Sequence, residues 1–221
     1  HSLSSSKKLN EEVLSVEIKF LNEIKLESIK YRYPLKDKDA LVNVNLKIKQ
    51  GQFVGIVGTS GSGKSTLIDL ILGLITPTSG YIEVDGNRLN EKNINSWRQK
   101  IGYVPQNVFL TEATVAENIA FGLEKSEIDS NKITEVIKAA GLESWLAASE
   151  KHIFNESVGE RGGNLSGGQR QRIGIARALY NDNQILILDE ITSALDRVSE
   201  EVVMNTIYKL RSDKTIIMVT H

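Results

Sequence analysis

Apolar and polar positions alternate over residues 24–33, where Ile24, Leu26, Tyr31 and Tyr33 interleave with Lys and Glu. They alternate again over 41–48, where Val42, Val44, Leu46 and Ile48 share one parity. A period of two predicts strands with one wet face. Pro34 and the charged run 36–39 predict the loop between them, so the chain opens with an antiparallel sheet. Residues 53–57 form a short apolar run, followed by Gly-rich sequence and by helical spacing over 66–74. Further strands are expected at 81–84, closed by Asp85-Gly86, and at 101–104. From 107 to about 165 the pattern is helical. Thr114 with Glu117 is a capping box opening a helix over 115–121, and Ser130 precedes a stripe of Ile133, Val136, Ile137 and Ala140 that Gly141 closes. Helix is expected at 168–180 and 198–210, a buried strand at 185–188 and a last strand at 215–219. Strands alternating with helices imply a parallel α/β core. Residues 1–22 are polar, with only a short apolar rhythm at Val13, Leu14, Val16, Ile18 and Phe20, and read as a linker or lead-in.

Composition narrows the function classes. Of 221 residues, 40% are hydrophobic and 25% charged, which excludes a disordered chain. Lys plus Arg is 27 and Asp plus Glu 28, a net charge of −1, so no general nucleic-acid or membrane-surface binder is expected. Cys is absent, which removes disulfides, thiol catalysis and Cys-ligated zinc. No run approaches the roughly 18 apolar residues of a membrane helix. The longest candidate, 67–75, contains Asp69 and Gly73. No signal-peptide pattern opens the chain, which starts at His1 without Met and stops at His221 directly after an apolar run. Both ends read as cuts in a longer chain.

Gly58-Thr59-Ser60-Gly61-Ser62-Gly63-Lys64-Ser65 fits the P-loop pattern and sits between an expected strand and an expected helix, the context that motif requires. Glycines let backbone N–H groups turn toward phosphate oxygens, and the following helix, entered through Thr66, presents its positive end to the same anion. Lys64 reaches the β- and γ-phosphates and Ser65 is placed to ligate Mg²⁺. Residues 185–188 lead an apolar strand into Asp189 and Glu190 at the carboxyl edge of the sheet, where ligands of such sheets bind. Asp189 is suited to hold Mg²⁺, and Glu190 to polarise an attacking water. Without the P-loop, the same residues would be a strand running into an acidic turn.

Leu165-Ser166-Gly167-Gly168-Gln169 then selects among P-loop proteins. Ser166 is a good N-cap, and the glycines leave first-turn N–H groups open, which makes a second anion-binding helix end. With the P-loop, the sequence resembles the nucleotide-binding domain of ABC (ATP-binding cassette) ATPases from about residue 24 to 221. The resemblance implies a P-loop NTPase core with a mostly parallel sheet, an N-terminal antiparallel β subdomain, and a helical subdomain at about 107–170 carrying the signature. The domain would run over 23–221, stopping before the family's usual final strands and helix. It implies ATP and Mg²⁺ as ligands. The signature Ser166, Gly167, Gly168 and Gln169 would meet ATP held on the P-loop of an opposite subunit, so a second nucleotide-binding domain is the expected partner.

Other roles follow from the same resemblance, position by position. Tyr33 matches the aromatic that stacks on adenine, with Tyr31 as competitor on the same face. Stacking selects weakly between ATP and GTP. Gln106 matches the loop Gln that senses Mg²⁺ and the attacking water and links to a transmembrane partner. Residues 193–196 match the D-loop, and His221 matches the switch His. Residues 157–162, with Glu160, look like the X-loop of exporters. The wording of 118–122 and 173–180 is similar to lipid-linked oligosaccharide flippases. Ile191, Thr192 and Thr220 depart from common family choices without removing a catalytic group. The implied function is the motor of an exporter or lipid flippase at the cytoplasmic face of a membrane, as in a bacterial inner membrane. The implied partner is the transmembrane domain, with no nucleic acid expected. A soluble ABC-type switch acting on ribosomes or DNA is the alternative. His152, outside every motif, reads as a surface residue.

Overall fold

The computed structural model describes residues 16–143, 150–155 and 157–220, without the side chains of 150–152. His221, the side chain of His152 and most of the lead-in therefore lie outside the described residues. In chain order the elements are β1 (Glu23–Tyr31), β2 (Leu41–Lys49), β3 (Phe53–Val57), α1 (Lys64–Ile71), β4 (Ser79–Val84), β5 (Asn87–Arg88) and α2 (Ile94–Arg98). Then come β6 (Ile101–Val104), α3 (Val115–Ile119), α4 (Ser130–Ala139), α5 (Glu150–Asn155), α6 (Gly167–Tyr180), β7 (Ile185–Asp189), α7 (Arg197–Leu210) and β8 (Thr215–Thr220).

The strands form an antiparallel sheet in the order β2-β1-β4-β5 and a parallel sheet in the order β3-β8-β7-β6. This is the mixed α/β architecture the alternation predicts. The β1–β2 pairing slips at two places, beside Ser28 and beside Asn43, both with backbone in the left-handed region (φ 49° and 50°). Each bulge flips the alternation. Val42, expected inward with Val44, Leu46 and Ile48, is consequently exposed, and Leu41 is buried in its place. Tyr31 and Tyr33 part company in the same region. Tyr31 closes β1 and is buried, whereas Tyr33 lies beyond the strand and is 39% exposed.

One core joins the antiparallel sheet to α1 and α2 and includes Ile24, Leu26, Ile68, Ile71 and Trp97. The other joins the parallel sheet to α3, α4, α6 and α7 through Ile119, Ile137, Ile173, Leu188 and Ile207. The packed chain begins earlier than the expected boundary at 22. Ile18 and Phe20 are buried, Phe20 meets Trp97 edge-on at 6.2 Å, and the Ile18 amide donates to Ser96. The lead-in reading of 1–22 is corrected to this extent. The period-two rhythm at 18 and 20 was that of a core-facing extended segment. No helix among the described residues is long and apolar enough to cross a membrane.

Candidate functional site

The strands of the parallel sheet end together, and their carboxyl ends carry the motif residues. β3 runs into Gly58 and the P-loop, β6 into Gln106, and β7 ends on Asp189 with Glu190 next. A cleft of about 590 Å³ opens there, lined by Tyr33, Ser60, Gly61, Gly63, Lys64, Ser65, Thr66, Gln106 and Glu190. A larger cavity of about 680 Å³ lies at the opposite, amino-terminal edge of the sheet and holds no motif residue. We assign the site by the chemistry of its lining, not by size.

The P-loop turns into α1 at Gly63, whose φ is 96°. A Cβ there would stand 2.8 Å from the Ala40 carbonyl oxygen, so both conformation and space require glycine. No side chain caps α1, and its first turn holds no acid, which leaves its N–H groups and positive end facing the loop. Lys64 is 8% exposed. Its Nζ donates to Gly58 O at 2.6 Å and Thr59 O at 3.3 Å, and lies 3.6 Å from Glu190 Oε1.

Glu190 has a φ of 48°, in the left-handed region that a glutamate rarely adopts. The turn is over-determined from both sides. Glu190 N donates to Val219 O at 3.1 Å, and Ser193 Oγ donates to Glu190 O at 2.8 Å. Its carboxylate accepts from Gln106 Nε2 at 3.1 Å, and the same nitrogen lies 3.2 Å from Ser193 Oγ. Lys64, Gln106 and Glu190 thus meet in one constellation.

Asp189 sits half-buried behind them. Its Oδ2 accepts from Tyr103 Oη at 3.2 Å. Burial pushes the Asp189 carboxyl above its usual range, the Tyr103 bond opposes this, and the charge of Glu190 adds to it. Burial and Asp189 push the Tyr103 hydroxyl up in turn, so it remains a donor. Asp69, on α1, is also raised, first by burial and then by Asp189. Motif reading missed Tyr103 and Asp69. In the β6–β7 register Tyr103 faces Ile187, two residues before Asp189, so period-two alternation puts the phenol on the face of that carboxylate once the pairing is known.

Tyr33 Oη lies 3.0 Å from Thr66 Oγ1, and the ring meets Tyr31 edge-on at 4.9 Å and 88°. Tyr33, not Tyr31, borders the cleft. Thr59 and Ser62 close the loop between them, the Ser62 amide donating to Thr59 O at 3.1 Å.

The signature residues stand apart from this cleft. Ser166 caps α6: its Oγ accepts from the Gln169 amide at 3.2 Å, and Gln169 Oε1 accepts from the Ser166 amide at 2.8 Å. Gly167 and Gly168 press against the start of α7, where added Cβ atoms would stand 3.3 Å from Leu195 Cδ2 and 3.0 Å from Ser199. Ser166, Gly167, Gly168 and Gln169 do not line the cleft that holds Lys64. The Glu160 segment is a short 3₁₀ turn, held to the loop before α3 by Val158 N donating to Ala113 O at 3.0 Å.

Comparison with known proteins places the chain among relatives of known kind. The chain is 42% identical over 199 residues to a leukotoxin export ATP-binding protein of Aggregatibacter actinomycetemcomitans, an alignment covering 90% of this chain and 28% of that protein. It is 39% identical over 200 residues to an ATP-dependent lipid A-core flippase of Ralstonia nicotianae, covering 90% and 34%. An alpha-hemolysin translocation ATP-binding protein of Escherichia coli is 41% identical over 199 residues, covering 90% and 28%. The chain thus spans about a third or less of the length of these relatives. In three dimensions it matches a bacterial Atm1-family ABC exporter with ATP bound, with a TM-score of 0.81 and 31% identity over 95% of this chain and 37% of that one. The family model described as ABC transporter matches residues 41–193, and the chain belongs to that family.

Proposed function

We propose that this chain is the ATP-hydrolysing motor of an exporter or lipid flippase, working at the cytoplasmic face of a membrane against a transmembrane domain. The convergence of Lys64, Gln106 and Glu190 on one cleft at the carboxyl edge of the parallel sheet carries this reading. ATP is the substrate. Its phosphates occupy the turn 58–65, where Lys64 exchanges the Gly58 and Thr59 carbonyls for phosphate oxygens, and its base stacks on the ring of Tyr33. The Thr66 hydroxyl and the edge of Tyr31 hold that ring in place.

Mg²⁺ fits the donor set. Ser65, Asp189 and Gln106 offer oxygen ligands, and the unfavourable charge on Asp189 beside Glu190 is one that a hard divalent cation relieves. When bound, the ion supplies charge neutralisation at the phosphates. Glu190 orients the attacking water and accepts its proton, while Gln106, already bonded to that carboxylate, holds the water's approach. Ser166, Gly167 and Gly168 cannot serve the cleft of their own chain. They close the site of a second nucleotide-binding domain, so two domains pair head to tail around two ATP. His221 and the Glu160 turn serve in this reading as γ-phosphate contact and link to the transmembrane domain.

Glu190→Gln tests the assignment. The neutral side chain keeps the bonding geometry and loses the base, so ATP binding is retained while phosphate release falls about 10²-fold or more. Hydrolysis at the parent rate would move the base elsewhere.

A further inference from the structure

Helix α6 is fastened to the segment that carries Gln106 along one of its faces. Gln171 Nε2 donates to the Gln106 main-chain oxygen at 2.7 Å. One turn on, Gly174 admits Val104 and Val108 so closely that a Cβ would stand 3.2 Å from one and 2.7 Å from the other. A further turn on, Arg177 Nη1 donates to Phe109 O at 3.0 Å. Residues spaced by three share a helix face, so the helix capped by Ser166 and the strand-end holding Gln106 are joined along it.

Gln171 is 7% exposed, and its Oε1 meets no donor among the described residues. A buried amide with one hydrogen bond made and one acceptor idle gains little net stability, because the idle oxygen offsets the bond. A hydrocarbon of the same length would fill the space without that loss. What the amide supplies is a donor with a direction. The bond fixes the peptide plane after Gln106, and that plane sets how the Gln106 side chain leaves the backbone toward Glu190 Oε2 and Ser193 Oγ.

We propose that Gln171 is a positioning residue for hydrolysis, aiming Gln106 at Glu190 and tying that aim to the helix whose first turn is the signature loop. This rests on the reading of Gln106 and Glu190 as members of the ATPase site. Gln171 touches no substrate and acts only through Gln106.

The test is a double-mutant cycle in steady-state Mg-ATP hydrolysis, with thermal unfolding of each protein alongside. Gln171→Met keeps length and removes the donor. It lowers kcat about tenfold, leaves KM for ATP within about twofold and leaves the unfolding midpoint unchanged. Gln171→Glu sets a carboxylate against the Gln106 carbonyl and lowers kcat at least as far. In the Gln106→Ala background, Gln171→Met has no further effect, because nothing is left to aim. An unchanged kcat for Gln171→Met, or the same loss in both backgrounds, overturns the proposal. So does a markedly lower unfolding midpoint, which would assign the amide to packing. Hydrolysis by Gln106→Ala at the parent rate is a separate result: it overturns the reading of Gln106, and this proposal with it.

Discussion

Asp189 shows at the residue scale how the site trades stability for charge. Its carboxyl is raised by burial and by Glu190, so ionising it costs more in the folded chain than in the unfolded one. An acid whose folded pKa lies above its unfolded value stabilises the fold fully only below the unfolded pKa. That contribution is lost as pH rises through the folded pKa. The window therefore opens upward from the usual value of 3.8. Asp189→Asn removes the titration and keeps an oxygen to accept from Tyr103. At pH 7 its unfolding midpoint exceeds the parent's by no more than about 2 °C, because solvent screens a half-buried charge, and the gap closes as pH falls into the carboxylate range. Metal-dependent hydrolysis is lost in the same protein. A midpoint at or below the parent's at pH 7 would show that the network around the charge outweighs its burial. Glu190, with its left-handed backbone, is the other residue here held against its own preference.

At the scale of elements, α3 and α6 are joined by a polar knot that hydrophobic pattern does not announce. Asn118 is fully buried. Its Oδ1 accepts from Thr111 N at 2.9 Å, and its Nδ2 donates to Thr111 O at 3.1 Å and Thr114 O at 3.0 Å. Its own carbonyl accepts from Arg177 Nε at 2.7 Å. Asn118→Ala leaves the Thr111 main chain without these partners and costs about 3 kcal/mol, read as a shift in the urea midpoint with an unchanged slope. A change under about 0.5 kcal/mol would mean that the loop finds other partners. The contrast with Thr114 and Glu117 explains what was legible in the sequence. Their capping box is a local rule at spacing three, so it was readable, and the structure has it. The strand-helix alternation and the P-loop context were readable for the same reason. The strand order β3-β8-β7-β6, the Tyr103–Asp189 bond and the Asn118 knot depend on pairings distant in sequence, which periodicity does not encode. The bulge at Ser28 was hidden too, because serine does not flag a left-handed backbone, whereas Asn43 is of a type that visits that region.

On the scale of the whole molecule, the proposed function rests its second domain on the separation of Ser166 from the Lys64 cleft. The α6 first turn lies outside the Lys64 cleft with its glycines bedded on α7, and under the proposed function its remaining first-turn N–H groups would receive phosphate held by another chain. A head-to-tail dimer then contains two sites, each built from the P-loop of one chain and the signature of the other. Lys64→Ala destroys the site its own chain begins, and Ser166→Arg destroys the site its own chain completes. Each variant alone is inactive. In an equal mixture with random pairing, half of the dimers are mixed, and each mixed dimer has one site whose P-loop and signature are both intact. With independent sites, mixing two dead proteins therefore restores about one quarter of the parent's ATPase rate. The restored rate falls more steeply than linearly on dilution, because it needs the pair. Were each site complete within a single chain, the mixture would stay as inactive as its components at every ratio. Coupling between the two sites would leave some recovery and move its size away from a quarter, so the yield of the mixture also measures how far one ATP depends on the other.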